Sequence, residues 1–87
     1  MPTTTTCALL ADLPDGVRAT VAHLHAPSHG LDARHLRRLS ELGFLPGEPV
    51  QVLRRGPGGR EPLAVAVGDS TFALRLAEAR HIAVVPV

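Results

Sequence analysis

Arg38-Leu39-Ser40-Glu41-Leu42-Gly43-Phe44-Leu45-Pro46-Gly47 is the stretch that decides the fold, because it ends a helix and opens a strand in quick succession. Upstream, Ala33, Leu36, Leu39 and Leu42 recur at spacings of three, while Arg34, His35, Arg37, Arg38 and Glu41 fall on the other side. That is the period of an amphipathic helix. Asp32 stands where an N-cap accepts orphan amide protons, and Gly43 where a left-handed C-terminal residue is wanted, so the helix should run from about Ala33 to Leu42. Leu31, just before the cap, is placed to pack on Leu36 as a hydrophobic staple. About three turns of helix hardly persist alone in water, so this one is expected to lie on a sheet. Pro46-Gly47 turns the chain after it, and of Phe44 and Leu45 one should be core and the other surface.

Strand signals lie on both sides. Before the helix, Val17, Ala19 and Val21 alternate with Arg18 and Thr20, but Leu24 is one step out of phase, which calls for a bulge near Ala22-His23. Leu9, Leu10 and Leu13 resemble a short anchoring turn after a frayed Thr3 to Thr6, and residues 1–8 are expected to be a flexible end. After the helix, Val50 and Val52 pair with Leu63, Val65 and Val67 as a long hairpin across Gly56 to Arg60. Gly68-Asp69-Ser70 makes a tight connection to a third strand with Phe72 and Leu74. Ala77 to Ala79 fits a helical turn, and Ile82 to Val87 is a final strand whose Pro86 suits an edge. The sum is a mostly β domain: a small barrel with one inserted helix, a short helical turn before the last strand, and closure that removes most edges.

Composition limits what such a barrel does. At 87 residues the chain is read as one domain, 1–87, with a core of modest size. Val, Leu and Ala dominate the apolar residues, with two Phe and neither Trp nor Tyr, so no aromatic groove for polyproline is available. A net charge of +1 is too weak a field to draw in a nucleic acid. The single Cys7 cannot form an internal disulfide, and neither a signal-peptide pattern nor a run of about 20 apolar residues is found, so a cytoplasmic protein without direct membrane insertion is expected. No glycine-rich loop leads into a helix with Lys-Ser or Lys-Thr, and Ser28 and Ser40 near His29 and His35 lack a placed carboxylate and an oxyanion hole. Catalytic residues are therefore none.

The segment Arg38 to Gly47 followed by Val50-Gln51-Val52 resembles the signature of the FeoA family, Arg-Leu-x-x-Leu-Gly-x-x-Pro-Gly. Phe72-Ala73-Leu74-Arg75 with Glu78-Ala79 and Ile82-Ala83-Val84 is similar to the ending of that family, and Leu13, Gly16, Val21 and Leu24 fit its opening. The chain departs from the pattern in the loop 57–62, at Asp69 and in the histidine-rich segment before the helix. What the resemblance implies is an SH3-like barrel in the bacterial cytosol that supports ferrous-iron uptake by binding the cytosolic part of the transporter FeoB. The same barrel resembles the C-terminal domain of DtxR-type repressors, so docking on such a regulator is an alternative.

Two sets of side chains are candidate sites. A partner surface is expected at the helix end, formed by Arg37, Arg38, Leu42, Phe44 and Leu45, with Arg75 from the second motif; Arg75 also fits a structural salt bridge, and Arg37 also fits pairing with Glu41. His23 and His25, two apart on a strand, share a face and are candidate ligands for Zn²⁺ or Fe²⁺. His29, His81 or Cys7 would complete the set, from this chain or from a second copy in a metal-bridged homodimer. No cofactor is obligatory in this reading, which leaves accessory protein, metal sensor and regulator-docking domain as three functions to separate.

Overall fold

The computed structural model describes residues 8–26, 32–59 and 61–87. Among these residues six strands run β1 (Ala8–Leu9), β2 (Arg18–Leu24), β3 (Pro49–Arg55), β4 (Leu63–Val67), β5 (Ser70–Leu74) and β6 (Ile82–Pro86). Helix α1 (Ala33–Leu42) joins β2 to β3, and α2 (Leu76–Ala79) precedes β6. Short 3-10 turns occupy Leu10–Asp12 and Pro57–Gly59. All strand pairs are antiparallel, in the order β1-β6-β2-β3-β4-β5.

The sheet bends around one core because two of its strands carry an extra residue. In β2 the pairing passes from Val21↔Val84 to His23↔Ala83, which leaves Ala22 unopposed. This is the bulge that the phase of Leu24 required, and Leu24 packs against the core beyond it. In β3 the pairing passes from Val52↔Val65 to Arg54↔Ala64, so Leu53 is extra and is 45% exposed. Each bulge sharpens the local right-handed twist and turns the sheet toward closure. Val21, Val50, Val52, Val65 and Val67 then face inward together with Leu10, Leu39, Leu63, Leu74 and Ile82.

Three expectations need correction. The final strand is interior: β6 lies between β1 and β2. Pro86 is tolerated there because Val87 N–H donates to Arg18 O at 3.0 Å, so by the antiparallel alternation the Pro86 nitrogen points away from β2 and no bond of the β2–β6 ladder is lost. Among the described residues closure is incomplete, since β1 and β5 are the two margins of the sheet and do not pair with each other. Ala8, expected in a loose end, pairs with Val84. The threonine run and the Leu31 staple lie outside the described residues.

Helix α1 has the bounds its caps dictate. Asp32 Oδ1 accepts from Arg34 N–H at 3.0 Å and His35 N–H at 3.1 Å. Gly43 adopts φ 115°, a region where a side chain is strained, and its N–H returns to Leu39 O and Ser40 O. Leu45-Pro46-Gly47-Glu48 follows as a turn with Glu48 N–H bonded to Leu45 O at 3.0 Å and Gly47 at φ 92°. Gly47 N–H donates to Val21 O and Val21 N–H to Glu48 O, which ties this turn to β2 beside the bulge.

Candidate functional site

A groove of about 500 Å³ separates α1 from β5 and the start of α2. His35, Arg38 and Leu42 line one wall and Phe72, Arg75 and Glu78 the other. Leu39 is buried and fixes α1 on the core, leaving Leu36 and Leu42 partly covered and Arg38 turned outward. Phe72 is half-buried and stands 6.4 Å, centroid to centroid, from Phe44, in a tilted contact.

Local hydrogen bonds hold Arg75 in place. Its own N–H donates to Glu78 Oε1 at 2.8 Å, and its carbonyl accepts from Glu78 N–H at 3.1 Å. Leu76 N–H, the next orphan donor of α2, donates to Glu61 Oε1 at 2.7 Å. Two carboxylates thus cap α2 and leave the Arg75 guanidinium outside the capping network. Among the described residues the ion pairs are Arg34–Asp32 and Arg55–Asp15, so neither Arg38 nor Arg75 is neutralised by them. Among the described residues, then, no salt bridge of Arg75 and no Arg37–Glu41 pair is formed. His35 is committed to the helix cap: its Nδ1 lies 2.9 Å from Asp32 Oδ1. The amide and ring of His35 hold the Asp32 carboxyl below the ordinary value of 3.8.

Of the residues expected at a partner surface, Arg38, Leu42 and Arg75 come together here. Arg37 is exposed on α1 but outside the groove. Leu45 is 46% exposed on the turn beyond it, whereas Phe44 is fully buried at 0% and is a core residue, with no surface to offer a partner. Phe72 and Glu78 were not anticipated as groove residues. Their only sequence signal is that Phe72 begins, and Glu78 sits inside, the same motif as Arg75.

His23 and His25 are both exposed, with ring centroids 5.0 Å apart and planes at 79°. Two imidazoles bound to one tetrahedral zinc at ~2.0 Å would put their centroids roughly 5 Å apart, so the spacing fits a shared ion. Among the described residues His81 does not join them in a three-ligand group. It is buried, at 8% exposure, and its Nδ1 lies 2.9 Å from Ala77 O. Among the described residues no group of three metal-ligating side chains forms. Cys7 and His29 lie outside the described residues.

The FeoA domain family matches residues 8–86, that is, all the strands and both helices. The chain belongs to the FeoA family. FeoA domains are SH3-like iron-transport accessory domains, and this chain has that fold. Stenotrophomonas maltophilia FeoA, solved with zinc and described as a prokaryotic SH3 domain protein with a candidate role as ferrous iron transport activating factor, is 43% identical. The match covers 88% of each chain at a TM-score of 0.77. Chlorobium tepidum FeoA is 31% identical over 92% of this chain and 70% of its own, at a TM-score of 0.79. A manganese-dependent transcriptional repressor aligns with 97% of this chain but 44% of its own length, at 27% identity and a TM-score of 0.78. No curated protein matches the chain. Among the described residues no helix is long and apolar enough to cross a membrane.

Proposed function

We propose that this FeoA chain is a non-catalytic cytosolic accessory protein of ferrous-iron uptake that binds the cytosolic part of an FeoB-type transporter through the groove between α1 and β5. One observation carries the reading: Arg38 and Arg75, from the two separate family motifs, line the same groove as Leu42 and Phe72, and both guanidiniums are without a counter-ion among the described residues. Two unneutralised cations over a partly apolar floor suit an acidic protein surface, where complementary charge sets orientation and encounter rate. Leu45, exposed on the adjoining turn, extends the contact surface. The relation to the S. maltophilia protein supports the transport context.

The test is association of the purified chain with the transporter's cytosolic part. Arg38→Glu/Arg75→Glu is expected to weaken binding roughly a hundredfold, from two reversals of about tenfold each. Leu45→Asp should weaken it less. Undiminished binding and iron uptake by the folded double variant would overturn the assignment. Capture of a DNA-binding metalloregulator in place of the transporter would favour the role suggested by the repressor likeness.

A second reading rests on the 5.0 Å approach of His23 and His25 and on the zinc in the S. maltophilia structure. The pair holds a divalent ion with a ligand from outside the described residues or from a second copy. Zinc and ferrous-iron titrations of wild type against His23→Ala/His25→Ala test it, and equal heats for the two proteins would remove the site.

A further inference from the structure

We propose that the edge of β5, unpaired among the described residues, is a strand-addition site on which an extended acidic segment of the partner pairs; this rests on reading the neighbouring groove as a partner surface. β5 ends the sheet order and its pairing with β4 is continuous from Val67↔Ser70 to Leu63↔Leu74. Only Gly68 and Asp69 connect the two strands, so Val67 and Ser70 form a hydrogen-bonded pair. By alternation Phe72 and Leu74 direct their backbone groups at β4, while Thr71 and Ala73 direct theirs away from the sheet. No turn, loop or cap bond among the described residues uses the backbone of either.

Natural edges are usually blunted by prolines, charged residues, bulges or shortness. β5 has none of these: it is Ser-Thr-Phe-Ala-Leu, five residues in unbroken register. Arginines line the hollows on both sides of it, while the nearby Glu61 and Glu78 carboxylates are engaged by the Leu76 and Arg75 N–H groups. Ala73 lines the groove of Arg38 and Arg75, and it also lines a second hollow of about 540 Å³ that includes Arg54 and Arg55. Arg55 is engaged with Asp15, whereas Arg54 forms no ion pair among the described residues. The one carboxylate of the first groove, Glu78, has an oxygen committed to Arg75 N–H. A strand laid along Thr71 to Ala73 therefore has arginines within reach above and below it, and the small Ala73 side chain leaves room for them. Backbone pairing supplies register and carboxylates on the incoming strand supply selectivity. Positive charge on both sides of the edge also opposes edge-to-edge pairing of two copies of this chain, so an acidic partner is the occupant.

The experiment combines amide hydrogen exchange and affinity, using the full chain and the transporter's cytosolic part as probe. On binding, the Thr71 and Ala73 amides should slow at least tenfold, and Ala73→Pro should weaken binding at least tenfold. Proline removes the outward N–H, and protection of the Phe72 and Leu74 amides in the free variant checks that the hairpin is intact. Full-affinity binding by a folded Ala73→Pro chain, or unprotected Thr71 and Ala73 amides in the wild-type complex, overturns strand addition and leaves the partner reading standing. Protection of those amides in the chain alone, rising with its concentration, would assign the edge to a second copy and also overturn the proposal. No association by the wild-type chain overturns the partner reading, and this inference with it.

Discussion

The two margins of the sheet are built on opposite principles. Among the described residues β1 is Ala8–Leu9, paired with Val84 and Ala83, and it passes at once into the turn Leu10–Asp12, whose Leu10 and Ala11 are buried. β5 is five residues long with Thr71 and Ala73 exposed, and Ala73 lines a groove whose arginines form no ion pair among the described residues. The first margin is terminated by burial. The second is left open and charged, so the cost of altering it should appear in association and not in stability.

The largest expected effect breaks the first margin. Leu10→Ala removes a fully buried side chain and should cost roughly 2–5 kcal/mol in urea unfolding. A loss under about 1 kcal/mol would mean that β1 is dispensable and the contrast is false. At the second margin, Arg75→Glu should leave the unfolding midpoint nearly unchanged, within roughly 0.5 kcal/mol. It should weaken binding to the transporter's cytosolic part about tenfold, while Arg80→Glu, exposed but outside the groove, should not. Equal losses for the two variants would point to general charge attraction in place of a defined groove.

Two smaller effects sharpen the picture of α1, which walls the open margin. Gly43→Ala places a side chain at φ 115° and should cost about 1 kcal/mol by thermal or urea unfolding. The space at that position is open, with Val67 Cγ1 at 4.0 Å, so a larger loss would reveal packing that the geometry does not contain. Asp32 contributes least. Its carboxyl is held below 3.8 by His35, so the cap's contribution is complete above that value and is lost as pH falls through the lowered folded value. Circular dichroism should therefore show a small acid-induced loss of helicity that Asp32→Asn blunts.

The parts of this molecule that were legible in sequence are those fixed by neighbours in the chain. Asp32 and Gly43 set the bounds of α1 because capping is a short-range matter of one acceptor and one backbone conformation. The phase slip at Leu24 disclosed the first bulge because alternation is counted along a single strand. The second bulge gave no such sign: after Leu53 the inward position is taken by Arg55, which reaches Leu13 O at 2.5 Å and Asp15 at 3.2 Å, and a charged residue does not register as a core position. Strand order is a long-range property, which is why Pro86 suggested an edge while β6 proved to lie between β1 and β2. The groove was half legible. Its arginines stood in recognisable motifs, but that Arg38 and Arg75 share one cleft, and that Phe44 is core while Leu45 is surface, depends on how α1 settles against β5.

The interior position of β6 has a consequence for how this protein is made. Among the described residues the sheet lacks an interior strand until residues 82–86 have been synthesised, since before then β2 has β3 on one side alone and β1 is cut off from the rest. Such a topology, dominated by pairings between distant parts of the chain, folds late and comparatively slowly. While the ribosome is still translating the middle of the message, the exposed valines of β2, β3 and β4 are open to chaperones or to aggregation.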